Sequence, residues 1–226
     1  MLRRALLGAT AASLLLPRRA SAREREPVDV ELILAVDSSY SISREELALQ
    51  YAGYAEAFRH PELHRAVTRG AIGSIACSIL AWASYGQQQV VVPWTLIDSA
   101  DSATAFANRV ATAERPMGAS TSISGAIEFA IRHFVACPQE GLRRVLDISG
   151  DGANNHGPPV AAAREAALRA GIVLNGLPIS GPVSGTWIAD YYRSEVIGGA
   201  GSFLILAEGY ASFAAAVRRK ILREIS

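Results

Sequence analysis

The sequence predicts an α/β fold: a doubly wound, mostly parallel sheet with helices on both faces and one antiparallel edge strand. Three observations carry this expectation. After Pro27, apolar runs of strand length alternate with segments of helical period, the pattern of parallel strands joined by right-handed crossovers. The polar turn 84–89 joins the apolar runs 72–83 and 90–96, and so short a loop makes a hairpin, not a parallel crossover. No low-complexity stretch or internal repeat interrupts the pattern, so residues 23–226 read as a single domain.

In order, the first strand is 30–36, almost entirely apolar. A helix over about 43–60 opens with the capping box Ser43-x-x-Glu46 and carries Leu47, Tyr51, Tyr54 and Phe58 at helical spacing. The hairpin follows, then a short helix around 100–111 and a small-residue loop, 116–122. Ile123, Ile127, Ile131 and Phe134 stripe the next helix, and 144–148 is a short strand of buried type. Pro158-Pro159 starts an Ala-rich helix that Gly171 ends, as the preference for Pro at helix starts and Gly past helix ends expects. Strand 172–177, loop 178–185, a helix around 187–196, strand 202–206 and a last helix bearing Phe213, Val217 and Ile221 complete the order.

The first 22 residues read as an export signal. Arg3 and Arg4 precede the apolar stretch 5–16, and Ala20-Ser21-Ala22 supplies a small-x-small exit before a charged run. The apolar stretch falls short of the about 20 residues that a membrane span needs. The expectation is cleavage after Ala22 and an exported product, periplasmic or extracellular, with no transmembrane span in the mature chain. Arg3-Arg4 partly matches a twin-arginine signal, and Arg18 with Arg19 leaves room for an uncleaved tether. The segment holds four arginines and no acid, so the 22 basic and 21 acidic residues of the chain become 18 and 21 after cleavage, a formal charge of −3. That sign gives no electrostatic case for nucleic acid or anionic lipid. Arg143-Arg144 and Arg218-Arg219-Lys220 read as solvated faces. Cys77 in a strand and Cys137 at a helix end read as two buried thiols, a disulfide being the alternative in an exported protein.

Three separated stretches carry the chemistry. Asp37, Ser39 and Ser41 alternate just where the first strand runs out. They read either as half of a metal site or as a Ser-rich turn capping the following helix. Thr121 adds a hydroxyl from the second loop, and Asp151, in the turn Asp151-Gly152 after strand 144–148, adds a second carboxylate. In an open α/β sheet, ligands bind at the carboxyl ends of strands. Hydroxyl and carboxylate oxygens suit a hard cation, magnesium, manganese or calcium, better than zinc or copper.

Asp-x-Ser-x-Ser, then Thr, then Asp-Gly, in that order and each at or beside a strand end, resembles the metal-ion-dependent adhesion site (MIDAS) of von Willebrand factor type A domains. The resemblance covers nearly the whole mature chain and implies a strand order with the Asp37 strand central, beside the Asp151 strand. It implies Ser39, Ser41 and Thr121 as direct ligands of a divalent cation, magnesium first, and Asp37 and Asp151 as direct or water-mediated ones. A weakly charged shell of this kind leaves an open position for an Asp or Glu of a partner protein. Tyr40, Asn154, Asn155 and His156 border the expected site as a candidate partner-binding rim, although a lone loop histidine is more often merely solvated. At finer grain, Asp151-Gly152-x-Asn154-Asn155 with Gly-Pro-Pro, Val92-Pro93-Trp94-Thr95, Tyr191-Tyr192-Arg193 and Val196-Ile197-Gly198-Gly199 look like a bacterial exported branch of these domains classed as a domain of unknown function.

Enzyme readings fit the residues less well. There is no Gly-x-Ser-x-Gly elbow, since Gly181-Pro182-Val183-Ser184-Gly185 has the wrong spacing, and no phosphate-binding loop. A magnesium-dependent phosphohydrolase with an aspartyl nucleophile would need a general acid two residues after Asp37, where Ser39 stands. The expectation is therefore an exported, metal-dependent adhesion or scaffold module without turnover. The alternatives are that phosphohydrolase or a metal-free interaction domain.

Overall fold

The computed structural model describes residues 25–181, 185 and 187–226. The expected export signal, 1–22, lies outside them. Strand β1 (Glu26–Asp37) is buried from Val28 to its end. Val30, Leu32, Leu34 and Val36 join one core while Ile33 and Ala35 join another, the period of two that a pleated strand imposes. A strand apolar on both faces needs cover on both sides and pairing on both edges. It finds the pairing in β2 (Ile75–Trp82) and β4 (Gln139–Gly150), both parallel to it. β3 (Gln88–Ile97) pairs antiparallel with β2, and β5 (Ile172–Ser180) runs parallel to β4. With β6 (Ala207–Glu208), the sheet of the described residues has the order β3-β2-β1-β4-β5-β6. This is the mostly parallel, doubly wound α/β sheet that the sequence predicts, with its antiparallel edge at the hairpin.

Helices α1 (Arg44–Arg59), α2 (Pro61–Thr68), α3 (Ala100–Thr112) and α7 (Phe213–Ile225) cover the Val30 face, where Tyr51, Tyr54, Phe58, Phe106 and Phe213 pack. The other face lies under α4 (Ile123–Val135), α5 (Val160–Arg169) and α6 (Trp187–Tyr191), the last running into a π-helical turn, Tyr192–Val196. Val36 stands opposite Ser149, so Asp37 and Asp151 leave the sheet from neighbouring strand ends. Chain connections diverge from that point to the two sides of the sheet, which makes it the crevice where open α/β sheets bind ligands.

Several details differ from the sequence reading. β1 and β4 are longer than predicted and pair along their added lengths, Glu26 with Gln139. Helix α2 was not anticipated; His60 caps it, with Nδ1 accepting from the Glu62 N–H at 3.3 Å, and Pro61 sits in its first turn. In place of a strand over 202–206, β6 is a two-residue ladder with Ile179 and Ser180, and Leu204 forms only an isolated bridge with Gly176. Gly199 and Gly201, at φ +96° and +75°, turn the backbone just before that segment and delay its alignment with β5. Lys220 is not solvated: it is fully buried on the inner stripe of α7, with Nζ 2.6 Å from Asp147 Oδ1 and bonded to Glu224. Arg144 likewise pairs with the buried Glu31 at 3.4 Å. Cys77 and Cys137 are free, buried thiols. Among the described residues, no helix is long and apolar enough to cross a membrane.

Candidate metal centre

The turn after β1 folds back on its own carboxylate. Asp37 Oδ1 accepts the Ser39 N–H at 2.8 Å, and the Ser39 and Ser41 hydroxyls lie 3.1 Å apart. Ser41 Oγ then donates to Asp151 Oδ1 at 2.7 Å, joining the first loop to the turn after β4. Ser43 caps α1 in the capping box read from the sequence. It is a separate residue from the Asp-x-Ser-x-Ser row, so capping leaves Ser39 and Ser41 facing the crevice.

Thr121 reaches the centre from a loop held at its backbone. Its N–H donates to Asn155 Oδ1 at 2.8 Å, and its carbonyl accepts the N–H groups of Asn155 and His156 at 2.9 and 3.2 Å. Its hydroxyl faces Gly152, where an added Cβ would stand 3.6 Å away. Asn154 turns inward, its Oδ1 accepting from the Ser124 N–H at 3.1 Å and its Nδ2 donating to the Pro158 carbonyl at 3.2 Å. His156 Nδ1 accepts the Tyr85 N–H at 3.0 Å. Of the four rim candidates, Tyr40 stands out into solvent, 84% exposed, while the side chains of Asn154, Asn155 and His156 are bonded to α4 and its own loop, to Thr121 and to Tyr85 respectively. The five sequence-predicted ligand positions thus meet at one end of the sheet.

The electrostatics of the assembled centre are unfavourable as they stand. Asp37 is fully buried, and its Oδ2 has no hydrogen-bond partner among the described residues. Burial, and then the neighbouring Asp151 charge, push its pKa up to about 7, with the Ser39 bonds opposing. Burial also raises Asp151, against hydrogen bonds from Ser41 and Tyr210. A buried carboxylate oxygen without a partner is costly, and two facing carboxylates repel. A cation among Asp37, Ser39, Ser41, Thr121 and Asp151 would relieve both, and the donor set fits a hard divalent ion. Among the described residues no three His, Cys, Asp or Glu side chains gather as a metal-binding group, so such an ion would rely on hydroxyls as much as on carboxylates.

Sequence reasoning missed two neighbours. Tyr210 Oη donates to Asp151 Oδ2 at 3.3 Å from a short 3-10 turn, Tyr210–Ser212, that no pattern signals. Tyr192 is fully buried beside Asp37, and its hydroxyl has no partner among the described residues. Next to the centre lies a cleft of about 610 Å³, bordered by Ser41, Thr121 and Asp151 and walled by Leu49, Trp187 and Tyr210.

A family described as protein of unknown function, DUF1194, has a model that matches residues 27–226. No curated protein matches the chain. Among solved structures, proximal thread matrix protein 1 of the mussel byssus, with a zinc-occupied MIDAS motif, superposes with a TM-score of 0.63 at 12% identity, over 89% of this chain and 49% of that one. A von Willebrand factor type A protein from Catenulispora acidiphila gives 0.56 at 16% identity, over 88% and 43%. BatB from Bacteroides thetaiotaomicron gives 0.52 at 21%, over 86% and 99%. This chain thus spans about half the length of the byssus protein. Likeness at these identities is likeness of fold.

Proposed function

Because the chain belongs to the DUF1194 family and folds like a von Willebrand factor type A domain, we propose that it is an exported, metal-dependent protein-binding module. It engages an Asp or Glu of a partner protein through a divalent cation. One observation carries the reading: Asp37 Oδ2 is buried, with no partner among the described residues, beside a second carboxylate and a row of hydroxyls. That arrangement is unfavourable alone and is relieved by a cation.

Asp37, Ser39, Ser41, Thr121 and Asp151 would hold the ion, magnesium in the first instance. Bound there, it supplies a Lewis-acidic position for a carboxylate. The protein's own groups set the terms of access. Ser41 is exposed and Thr121 nearly buried, so the approach runs over the Ser41 side, where Tyr40 projects. Leu49 and Trp187, each about half exposed, offer apolar surface in the adjoining cleft to whatever flanks the partner's acid. Ser39, standing where a general acid would be needed, cannot protonate a leaving group near neutral pH, which favours binding over phosphoester hydrolysis.

The test is calorimetric titration of the mature protein with magnesium and manganese, followed by capture of envelope proteins with and without a chelator. Wild type should bind one equivalent of cation and lose its partner in chelator. Thr121→Ala should weaken both, and because it removes an oxygen without altering charge, electrostatic steering cannot account for the loss. A partner retained equally in chelator would favour a metal-free interaction surface. Magnesium-dependent phosphoester hydrolysis abolished by Asp37→Asn would replace binding with catalysis.

A further inference from the structure

Two buried oxygens near the centre lack partners among the described residues: Asp37 Oδ2 and Tyr192 Oη. They approach the same place. Both converge on the bare face of Gly150, where an added Cβ would stand 2.7 Å from Asp37 Oδ2 and 2.9 Å from Tyr192 Oη. Gly150 ends β4 and its φ is not positive, so the backbone does not demand a glycine there. What demands it is the space these two oxygens occupy. Tyr192 is delivered by the π-helical turn 192–196, whose wider winding is closed by the Ile197 N–H bonding to the Tyr192 carbonyl at 3.0 Å. Such turns are rare and concentrate at functional sites. Gly176 serves the same side chain from below: a Cβ there would meet the ring at 2.7 Å.

A fully buried tyrosine hydroxyl ordinarily finds an acceptor. Here two glycines open a channel for the ring and its hydroxyl, and the channel ends at a carboxylate oxygen that also lacks a partner. We propose that Tyr192 is a positioning residue for the metal centre, its hydroxyl turning to donate to Asp37 Oδ2, directly or through one water, once the cation is bound, and so fixing the orientation in which Asp37 meets the cation. The inference rests on the reading of the centre as a cation site. It assigns a role to Tyr192, Gly150 and the π turn that the five ligand positions do not include. Outer groups that orient a metal ligand change affinity by about 10–100-fold when removed.

The experiment compares wild type, Tyr192→Phe and Tyr51→Phe. Tyr51 is the control because its hydroxyl is also buried without a partner, on α1, with the Arg115 guanidinium over its ring. Manganese affinity is measured by calorimetry, and thermal unfolding is measured in chelator. Tyr192→Phe should weaken manganese binding about 10–100-fold while the cation-free protein unfolds at the same temperature or higher, since a partnerless buried hydroxyl has been removed. Tyr51→Phe should bind as wild type does. A purely structural role would lower stability and affinity together, and that outcome overturns the proposal. Equal affinity in wild type and Tyr192→Phe overturns it alone, leaving the cation site standing. Absence of binding in wild type overturns the cation site and this inference with it.

Discussion

Replacing Asp37 by Asn should make the cation-free protein more stable and at the same time abolish cation binding. Asn keeps the oxygen that accepts from Ser39 N–H and removes the charge that faces Asp151. The folded-state pKa of Asp37 is raised from 3.8 to about 7. The folded protein therefore holds this proton more tightly than the unfolded chain, so stability from this group is fully present below about pH 4 and is lost as pH rises through about 7. A shift of about 3 units corresponds to roughly 4 kcal/mol as an upper bound, and relaxation of the site brings the expected gain to about 1–3 kcal/mol. For a chain of this size that is about 3–10 °C in Tm. Thermal unfolding in chelator at pH 4 through 8 measures it: the variant and wild type should coincide at pH 4 and separate steadily toward pH 8. Manganese should then raise the Tm of wild type by linkage and leave the variant unmoved. If Asp37→Asn is the less stable protein at pH 8 in chelator, or responds to manganese as wild type does, the account of Asp37 as a strained ligand is wrong.

Two further outcomes follow from other parts of the molecule. Burial and the Asp147 charge, opposed by Lys220, raise Glu224 to about 7, so it too withdraws stability as pH rises from about 4.5 through 7; Glu224→Gln should therefore lose less stability than wild type between pH 4 and pH 8, read by urea unfolding, with an equal or larger loss refuting the idea. Intact mass of the exported product should correspond to a chain starting at Arg23, and a membrane-bound form retaining Arg3 and Arg4 would replace cleavage by a tether.

The sheet and its antiparallel edge were legible because alternation, capping and loop length are local signals: Ser43-x-x-Glu46 marked the start of α1, and the turn 84–89 was too short for a crossover. That Asp37, Ser39, Ser41, Thr121 and Asp151 come out at one end of the sheet was legible as well, because small polar residues at the ends of apolar runs stand out in sequence. What escaped was set by tertiary contact. Lys220 looks solvated within Arg218-Arg219-Lys220, and only the helical stripe through Phe213, Val217 and Ile221 places it inward, against Asp147 on β4. Tyr192 and Tyr210 look like core or turn residues until β4 and β5 bring them to the centre. The strand expected at 202–206 failed because pairing depends on where glycine turns release the chain, which apolar content does not report.

The reciprocal bonding between Thr121 and the Asn155-His156 segment has a mechanical consequence. It sews the loop before α4 to the loop after β4, so Thr121 and Asp151 ride on one body. Asp37, Ser39 and Ser41 ride on another, the single turn leaving β1. The centre is then two groups of oxygens rather than five independent ones, tied to each other by the Ser41 hydroxyl on Asp151 and by the Gly118 N–H on the Ser38 carbonyl at 3.0 Å. A cation held between them would therefore load both loops at once, and its grip would be felt at their shared seam beside Tyr40 rather than at any one residue.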